Sequence, residues 1–182
     1  MTDLLRFEPA TARPDLLAPP VAAAVAAWDD LVPSVPVAEV SVAEIDPDLA
    51  DTAAFCERYG VALDASANCV VVAARRGEVT RLAACMVLAT TRADVNGLVR
   101  KHLGARRASF APMDVAVAES GMEYGGITPI GLPEGWPILV DAEVAKAPRV
   151  VVGSGVRRSK LWLPGGALAN LPGAEVLDGL GR

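Results

Sequence analysis

The sequence predicts an α+β domain in which helices surround one mixed, mostly antiparallel, barrel-like sheet. Helical and strand-like stretches are interspersed without the regular alternation of a βαβ fold. Two strand-forming runs in mid-chain are joined by a glycine-containing turn, and the segment after residue 137 consists of short apolar runs separated by glycine and proline. At 182 residues the chain can hold one well-cored domain and not two of ordinary size. Residues 1–35 read as an N-terminal arm and first helix, and residues 36–182 as the domain proper.

Taken in order, Pro9, Pro14, Pro19 and Pro20 forbid a continuous helix at the start and indicate an extended arm. Pro20 suits the first turn of an alanine-rich helix over residues 21–28. Residues 37–42 alternate apolar and polar, as a half-buried strand does. Asp46 and Pro47 supply an N-cap and first-turn proline for a helix that Gly60 ends. Residues 69–73 and 82–89 form the central hairpin, with Gly77 in its turn. Residues 94–103 predict a helix capped by Asp94 and closed by Gly104, 109–111 a short strand, and 112–120 a helix stopped by Gly121. Strands at 138–140, 150–152 and 161–163, a short helix at 167–171 and a strand at 174–177 complete the reading.

Hydrophobic residues make up 52% of the chain but aromatic ones only 4%, so the core must be built from Ala, Val and Leu. Cys56, Cys69 and Cys85 form an odd set without a CxxC pair, which argues for reduced core thiols over a disulfide framework or a thiolate metal site. His102 is the only histidine and sits in a helical run, where a surface role is the simpler reading. No metal or cofactor is indicated. No apolar run reaches the ~20 residues a bilayer span needs, and the start lacks a basic signal, so a cytoplasmic location without membrane contact is expected. The net charge of −5 hides an asymmetry. Residues 1–70 carry 12 acidic and 3 basic side chains, and residues 71–182 carry 14 basic and 10 acidic. Arg100, Lys101, Arg106 and Arg107 cluster in the second part, either as a basic RNA-facing surface or as a solvated helix face.

Two glycine clusters carry the chemical signal: Gly125-Gly126-Ile127-Thr128-Pro129-Ile130-Gly131 and Gly153-Ser154-Gly155. Glycine allows close backbone approach and proline stiffens the flanks, so such a loop can aim several N–H groups at a developing oxyanion; the competing reading is a pair of structural turns. Neither cluster fits a phosphate loop or a dinucleotide fingerprint. Taken with Ala93-Asp94-Val95-Asn96, Leu103-Gly104-Ala105, Ser109-Phe110-Ala111, a strand ending in Asp141, and Val156-Arg157 after the second cluster, the order of motifs resembles the YbaK family. That family includes synthetase-associated aminoacyl-tRNA editing domains and free-standing prolyl-tRNA editing proteins. The resemblance runs from about residue 35 to the end.

The resemblance implies hydrolysis of the aminoacyl ester of a mischarged tRNA, with a small amino acid on tRNA-Pro or a related tRNA as substrate. Gly125, Gly126, Ile127, Thr128 and Pro129 match the family's GxxxP loop, which lines the pocket for the terminal adenosine and the aminoacyl group. Gly131, Asp141 and the Gly153-Ser154-Gly155 turn match positions at the same cleft. Asn68 falls where the family carries a lysine, which opens a second reading: a catalytically silent binding module or partner of an aminoacyl-tRNA synthetase. The proposed chemistry needs no acid–base dyad: loop N–H groups hold the carbonyl oxygen while Asn68 and Asp141 orient the amino group or the water. Asp141 has the alternative role of capping the segment after its strand. Arg157 and Lys160 are RNA contacts or exposed strand ends. Deleting residues 1–35 is expected to spare hydrolysis of free aminoacyl-tRNA.

Overall fold

In the computed structural model, residues 4–182 are described. Helices and strands are mixed as the α+β class requires, but the strands form two open sheets and not one barrel-like sheet. The second sheet is built on the hairpin of β3 (Ala67–Arg76) and β4 (Val79–Leu88), paired from Ala67 opposite Leu88 to Arg76 opposite Val79. Gly77, at φ 62°, makes the turn that an L side chain would strain. Strand β5 (Arg107–Phe110) joins the free edge of β3 antiparallel, while β6 (Ile138–Asp141) and β9 (Ala174–Leu177) extend the β4 side in parallel.

The first sheet runs in the order β1 (Glu8–Pro9), β2 (Ser41–Glu44), β8 (Ser159–Leu163) and β7 (Val150–Gly153), all antiparallel. Among the described residues one backbone bridge, between Ser66 and Val151, joins the two sheets, which otherwise pack side chain to side chain in a shared aliphatic core. A closed barrel needs continuous pairing around its circumference. Beyond that one bridge no strand pairing joins the sheets among the described residues, and a cavity lies beside them.

The core is aliphatic, as the low aromatic content demands. Leu16, Met86, Leu139, Leu161 and Leu163 are among its largest fully buried side chains, with Trp28 and Phe55 the rings among them. The segment read as an arm is held firmly. Two 3₁₀ turns (Ala10–Ala12 and Pro14–Leu16) lead into α1 (Pro19–Ala26) and α2 (Trp28–Leu31). Leu16, Val21, Val25, Trp28 and Val32 share one core cluster with Val140 and Leu161. The Ala18 N–H donates to the Ser154 carbonyl at 3.1 Å, which ties the segment to the second glycine cluster.

Three elements differ from expectation for local reasons. Pro36 opens a 3₁₀ turn over Val37–Glu39, gripped by Arg149 on the Glu39 carboxylate (2.6 Å) and carbonyl (2.7 Å), so the strand begins only at Ser41. Asp46 caps a 3₁₀ turn, Pro47–Leu49, and the backbone resets at Asp51 before α3 (Thr52–Tyr59) starts; Gly60 ends that helix at φ 63°. The expected helix at 94–103 is a wide π-type turn, Val95–Val99, running into α4 (Arg100–His102). Asp94 causes the widening: its two oxygens accept from the N–H groups of Gly97 (3.1 Å) and Leu98 (3.0 Å). A Cβ on Gly97 would collide with that carboxylate. Helices α5 (Met113–Ser120), α6 (Ala142–Lys146) and α7 (Gly165–Ala169) follow, the last ending two residues before its predicted limit.

Candidate active site

The cavity measures about 510 Å³ and draws its walls from segments far apart in sequence. Residues 67–71 of β3 form one wall, and Gly153 of β7 with Lys160 of β8 form another. The broken helix start at Ala50, Asp51 and Thr52 closes one end. Gly125 and Ile127 of the first glycine cluster close the other. Phe110, Met113 and Tyr124 stand at the mouth with more than half of their surface exposed.

The polar groups of this cavity are mainly donors. Thr52 Oγ1 donates to Asn68 Oδ1 at 2.5 Å, which fixes the amide so that its Nδ2 hydrogens are left for a ligand. Lys160 Nζ donates to the Ala50 carbonyl at 2.8 Å, although the residue is only 8% exposed. That bond occupies the carbonyl at the break between the 3₁₀ turn and α3. Burial lowers the Lys160 ammonium to about 8, opposed in part by Cys56, with Arg157 lowering it further. In the loop, the Gly126 N–H donates to the Glu123 carbonyl at 2.9 Å and the Thr128 N–H reaches Met122 Sδ at 3.5 Å. The N–H groups of Gly125 and Ile127 have no acceptor among the described residues. Cys69 also lines the cavity, but burial raises its thiol above the usual range and so keeps it from acting as a thiolate. Cys85, opposite Val70 on β4, is pushed up to about 12 by burial.

The two glycine clusters are pressed against each other. A Cβ on Gly126 would lie 2.7 Å from the Val156 carbonyl, and a Cβ on Gly153 would strike the Gly126 carbonyl. The Gly155 N–H donates to that same Gly126 carbonyl at 2.7 Å. Close backbone approach is therefore the use of these glycines, and it brings Gly125, Ile127 and Gly153 together on the cavity wall. Arg157 braces the mouth: Nε donates to the Pro47 carbonyl (3.2 Å), Nη1 to the Tyr124 carbonyl (3.3 Å), and the guanidinium pairs with Asp51 at 3.6 Å.

A model of the aminoacyl-tRNA editing domain matches residues 46–171, and that span includes every wall of this cavity. The chain belongs to that family. Among solved structures, the editing domain resembles a candidate trans-editing enzyme for prolyl tRNA synthetase at TM-score 0.68 and 18% identity, covering 85% of this chain and 95% of that one. The hypothetical protein APE2540 gives TM-score 0.72 at 18% identity, with 87% and 99% covered. A third match, to a candidate signal transduction protein from Marinobacter aquaeolei VT8, has TM-score 0.53 and 17% identity, covering 85% of this chain but 30% of that longer one. At these identities the likeness establishes the fold.

The editing domain brings together only part of what the sequence singled out. Asn68, Gly125, Ile127 and Gly153 line the cavity. Gly126, Thr128, Pro129, Gly131, Ser154 and Gly155 lie behind the wall. Thr128 is fully buried with Oγ1 unpartnered, and Ser154 Oγ is spent on Ser159 Oγ (2.7 Å) and nearby carbonyls. A Cβ on Gly131 would meet the Pro20 backbone, and one on Gly155 would meet Ala18, so these two seat the loops on α1. Asp141 does not line the cavity. Its Oδ1 accepts from the Glu143 N–H (2.8 Å) and its Oδ2 from the Gly181 N–H (2.5 Å), so its role here is to cap α6.

The basic residues divide in the same way. Lys101, Arg106 and Arg107 are exposed and Arg100 half-buried, with Arg100 Nε on the Asn96 carbonyl at 2.9 Å. Arg157 and Lys160 are not exposed strand ends: the first braces the mouth and the second is inside. His102 pairs with Glu175 at 2.9 Å near the surface. Sequence reasoning missed Thr52, Phe110, Met113 and Tyr124 as cavity residues, and also the exposed Arg75, Arg76 and Arg81 beside the basic cluster. The register of β3 with β5 sets Arg75 opposite Arg107, an arrangement of like charges that Glu78, 3.9 Å from Arg75, offsets only at its exposed end. Among the described residues, no helix is long and apolar enough to cross a membrane.

Proposed function

We propose that the protein is a trans-editing deacylase that hydrolyses the ester of a mischarged aminoacyl-tRNA in this cavity, with a small amino acid on tRNA-Pro or a related tRNA as substrate. The observation that supports it most is a cavity of editing-domain residues rich in uncommitted donors. Asn68 Nδ2, the Gly125 and Ile127 N–H groups and the Lys160 ammonium border about 510 Å³. An aminoacyl ester is already labile. A site that positions water and holds the carbonyl oxygen lowers its barrier without an acid–base dyad. Asp51 is the one carboxylate among the described lining residues and serves as acceptor for the substrate's α-ammonium. The exposed rings of Phe110 and Tyr124 offer faces on which the terminal base stacks.

The basic surface fits the rest of the tRNA. Strand β5 carries Arg107 at one end and Phe110 at the other, so the arginines lie roughly 10 Å from the cavity mouth. Arg75, Arg76, Arg106 and Arg107 then meet phosphates of the acceptor arm. Reversing two of these charges, Arg106→Glu with Arg107→Glu, is expected to raise KM for aminoacyl-tRNA several-fold at low salt. The same change should flatten the dependence of log kcat/KM on log salt by roughly one for each phosphate no longer neutralised. Steady-state assays from low to moderate salt measure this, and an unchanged slope removes the surface from the proposal.

Deacylation measured against a panel of mischarged tRNAs tests the assignment. The wild-type protein should exceed spontaneous hydrolysis on at least one tRNA, and Asn68→Ala should lower that rate by about 10²-fold, as expected for loss of a donor to the reacting oxygen. Asn68 at the family's lysine position favours a second reading, in which the domain binds an aminoacyl-tRNA end or docks on a synthetase without hydrolysis. Binding to aminoacyl-tRNA with no acceleration on any member of the panel selects that reading. A cytoplasmic location is part of the proposal because both readings require access to charged tRNA.

A further inference from the structure

Lys160 is a cationic side chain more than nine-tenths buried, and it borders the cavity. Its neighbours do not neutralise it. The strands on either side place Ala43 and Gly153 opposite it, and the ring of Phe55 lies 5.5 Å from Nζ. The titratable groups that face it are Cys56 on α3, whose thiol is raised by burial, Asp51, and the guanidinium of Arg157. Asp51 is itself paired with Arg157 and lies at the mouth. One of the three ammonium hydrogens is taken by the Ala50 carbonyl, and the others have no acceptor among the described residues. Burying an ammonium without a counter-charge is costly, and an apolar side chain of similar length would fill the same space without that cost.

We propose that Lys160 is a catalytic residue of the editing cavity, its ammonium holding the ester carbonyl oxygen as that oxygen gains negative charge. The inference rests on the deacylase reading above and names the charged group of the site that reading left open. Water adds its oxygen to the carbonyl carbon, and the carbonyl π pair moves onto the carbonyl oxygen beside Lys160. When that pair returns, the bond from carbon to the ribose oxygen breaks, and a proton of the attacking water ends on the departing oxygen. The products are a free amino acid and a tRNA with its terminal hydroxyl restored. Lys160 keeps its proton throughout. A cation enclosed in a low-dielectric cavity acts more strongly on this oxygen than one in water. The group is the electrostatic counterpart of the Gly125 and Ile127 N–H donors.

The test is single-turnover deacylation by wild type, Lys160→Met and Lys160→Gln on a tRNA that the wild type edits. The glutamine variant keeps a donor for the Ala50 carbonyl but removes the charge, so it separates a structural hydrogen bond from the catalytic one. Both variants should lose about 10²–10³-fold in the single-turnover rate constant with KM little changed, while the glutamine variant melts within a few degrees of wild type. The wild-type rate relative to spontaneous hydrolysis should fall as pH rises through about 8, where Lys160 loses its proton, and both variants should lack that decline. The substrate's own ammonium titrates in the same region but is common to all three proteins, so the difference between profiles belongs to Lys160. Retention of more than a third of the wild-type rate by either variant, an effect confined to KM, or identical pH profiles would overturn the inference and leave the deacylase reading intact. A wild-type protein inactive on every tRNA of the panel would instead overturn both.

Discussion

A chain lacking residues 1–35 is expected to have no cooperative folded state, and with it no deacylation above the spontaneous rate. The removed segment holds Leu16, Val21, Val25, Trp28 and Val32, all exposed by 2% or less and all packed in the cluster that contains Val140 and Leu161. Truncating one buried side chain of this size costs roughly 2–5 kcal/mol, against a total stability of about 5–15 kcal/mol for a domain. Five such losses exceed what the remaining packing can offset. The deletion also removes the Ala18 N–H from the Ser154 carbonyl and the Pro20 backbone from beneath Gly131, so both loops behind the cavity lose their seat. Circular dichroism through a urea titration measures this. A sigmoidal transition with retained hydrolysis would return the segment to the status of a detachable arm, as its four prolines suggest.

Gly153→Val is expected to abolish measurable editing while leaving much of the secondary structure. A Cβ at this position would run into the Gly126 carbonyl and come within 2.8 Å of the Ile127 carbonyl. Both obstacles are backbone, so relief requires the first glycine loop to move and cannot come from a rotamer change. Overpacking of this kind costs about 1–3 kcal/mol, which a domain of ordinary stability survives. The displaced loop, however, carries the Gly125 and Ile127 N–H groups, and misplacing reacting geometry by about 1 Å costs on the order of 10²-fold in rate. The added methyl groups would also occupy the cavity. Thermal melting compared with single-turnover deacylation separates the two effects. A valine variant that edits at more than a tenth of the wild-type rate would show that the loops do not meet at the reacting centre.

Much of the fold was legible because its signals are local. Val, Cys and Ala in unbroken runs around Gly77 can hardly avoid a hairpin, and it forms with its turn as read. Gly60, Gly104 and Gly121 carry the positive φ of chain reversals at the ends where helices were expected to stop. The motif order from Ala93 to Arg157 indicated the editing-domain family, because a series of turns and strands in fixed sequence constrains the fold more than any one motif. The glycine clusters were also correctly read as places of close backbone approach. What they approach was not legible: Gly126 and Gly153 meet each other, while Gly131 and Gly155 meet the N-terminal segment.

Position along the chain determined composition, turn chemistry, the hairpin and the family; position in space decided which side chains reach the cavity. Lys160 reads as a strand-end cation until β2 and β7 flank it and α3 covers it, which turns its ammonium inward. Asp141 reads as a cleft carboxylate until the N–H of Gly181, forty residues away, takes one of its oxygens and its own helix takes the other. The Ala50 carbonyl, at the break before α3, takes its donor from an amine 110 residues distant. Each of these outcomes is a competition for a hydrogen-bond partner or for apolar packing between segments with no proximity in sequence. Periodicity and propensity describe one segment at a time, so they contain no information about which competitor wins.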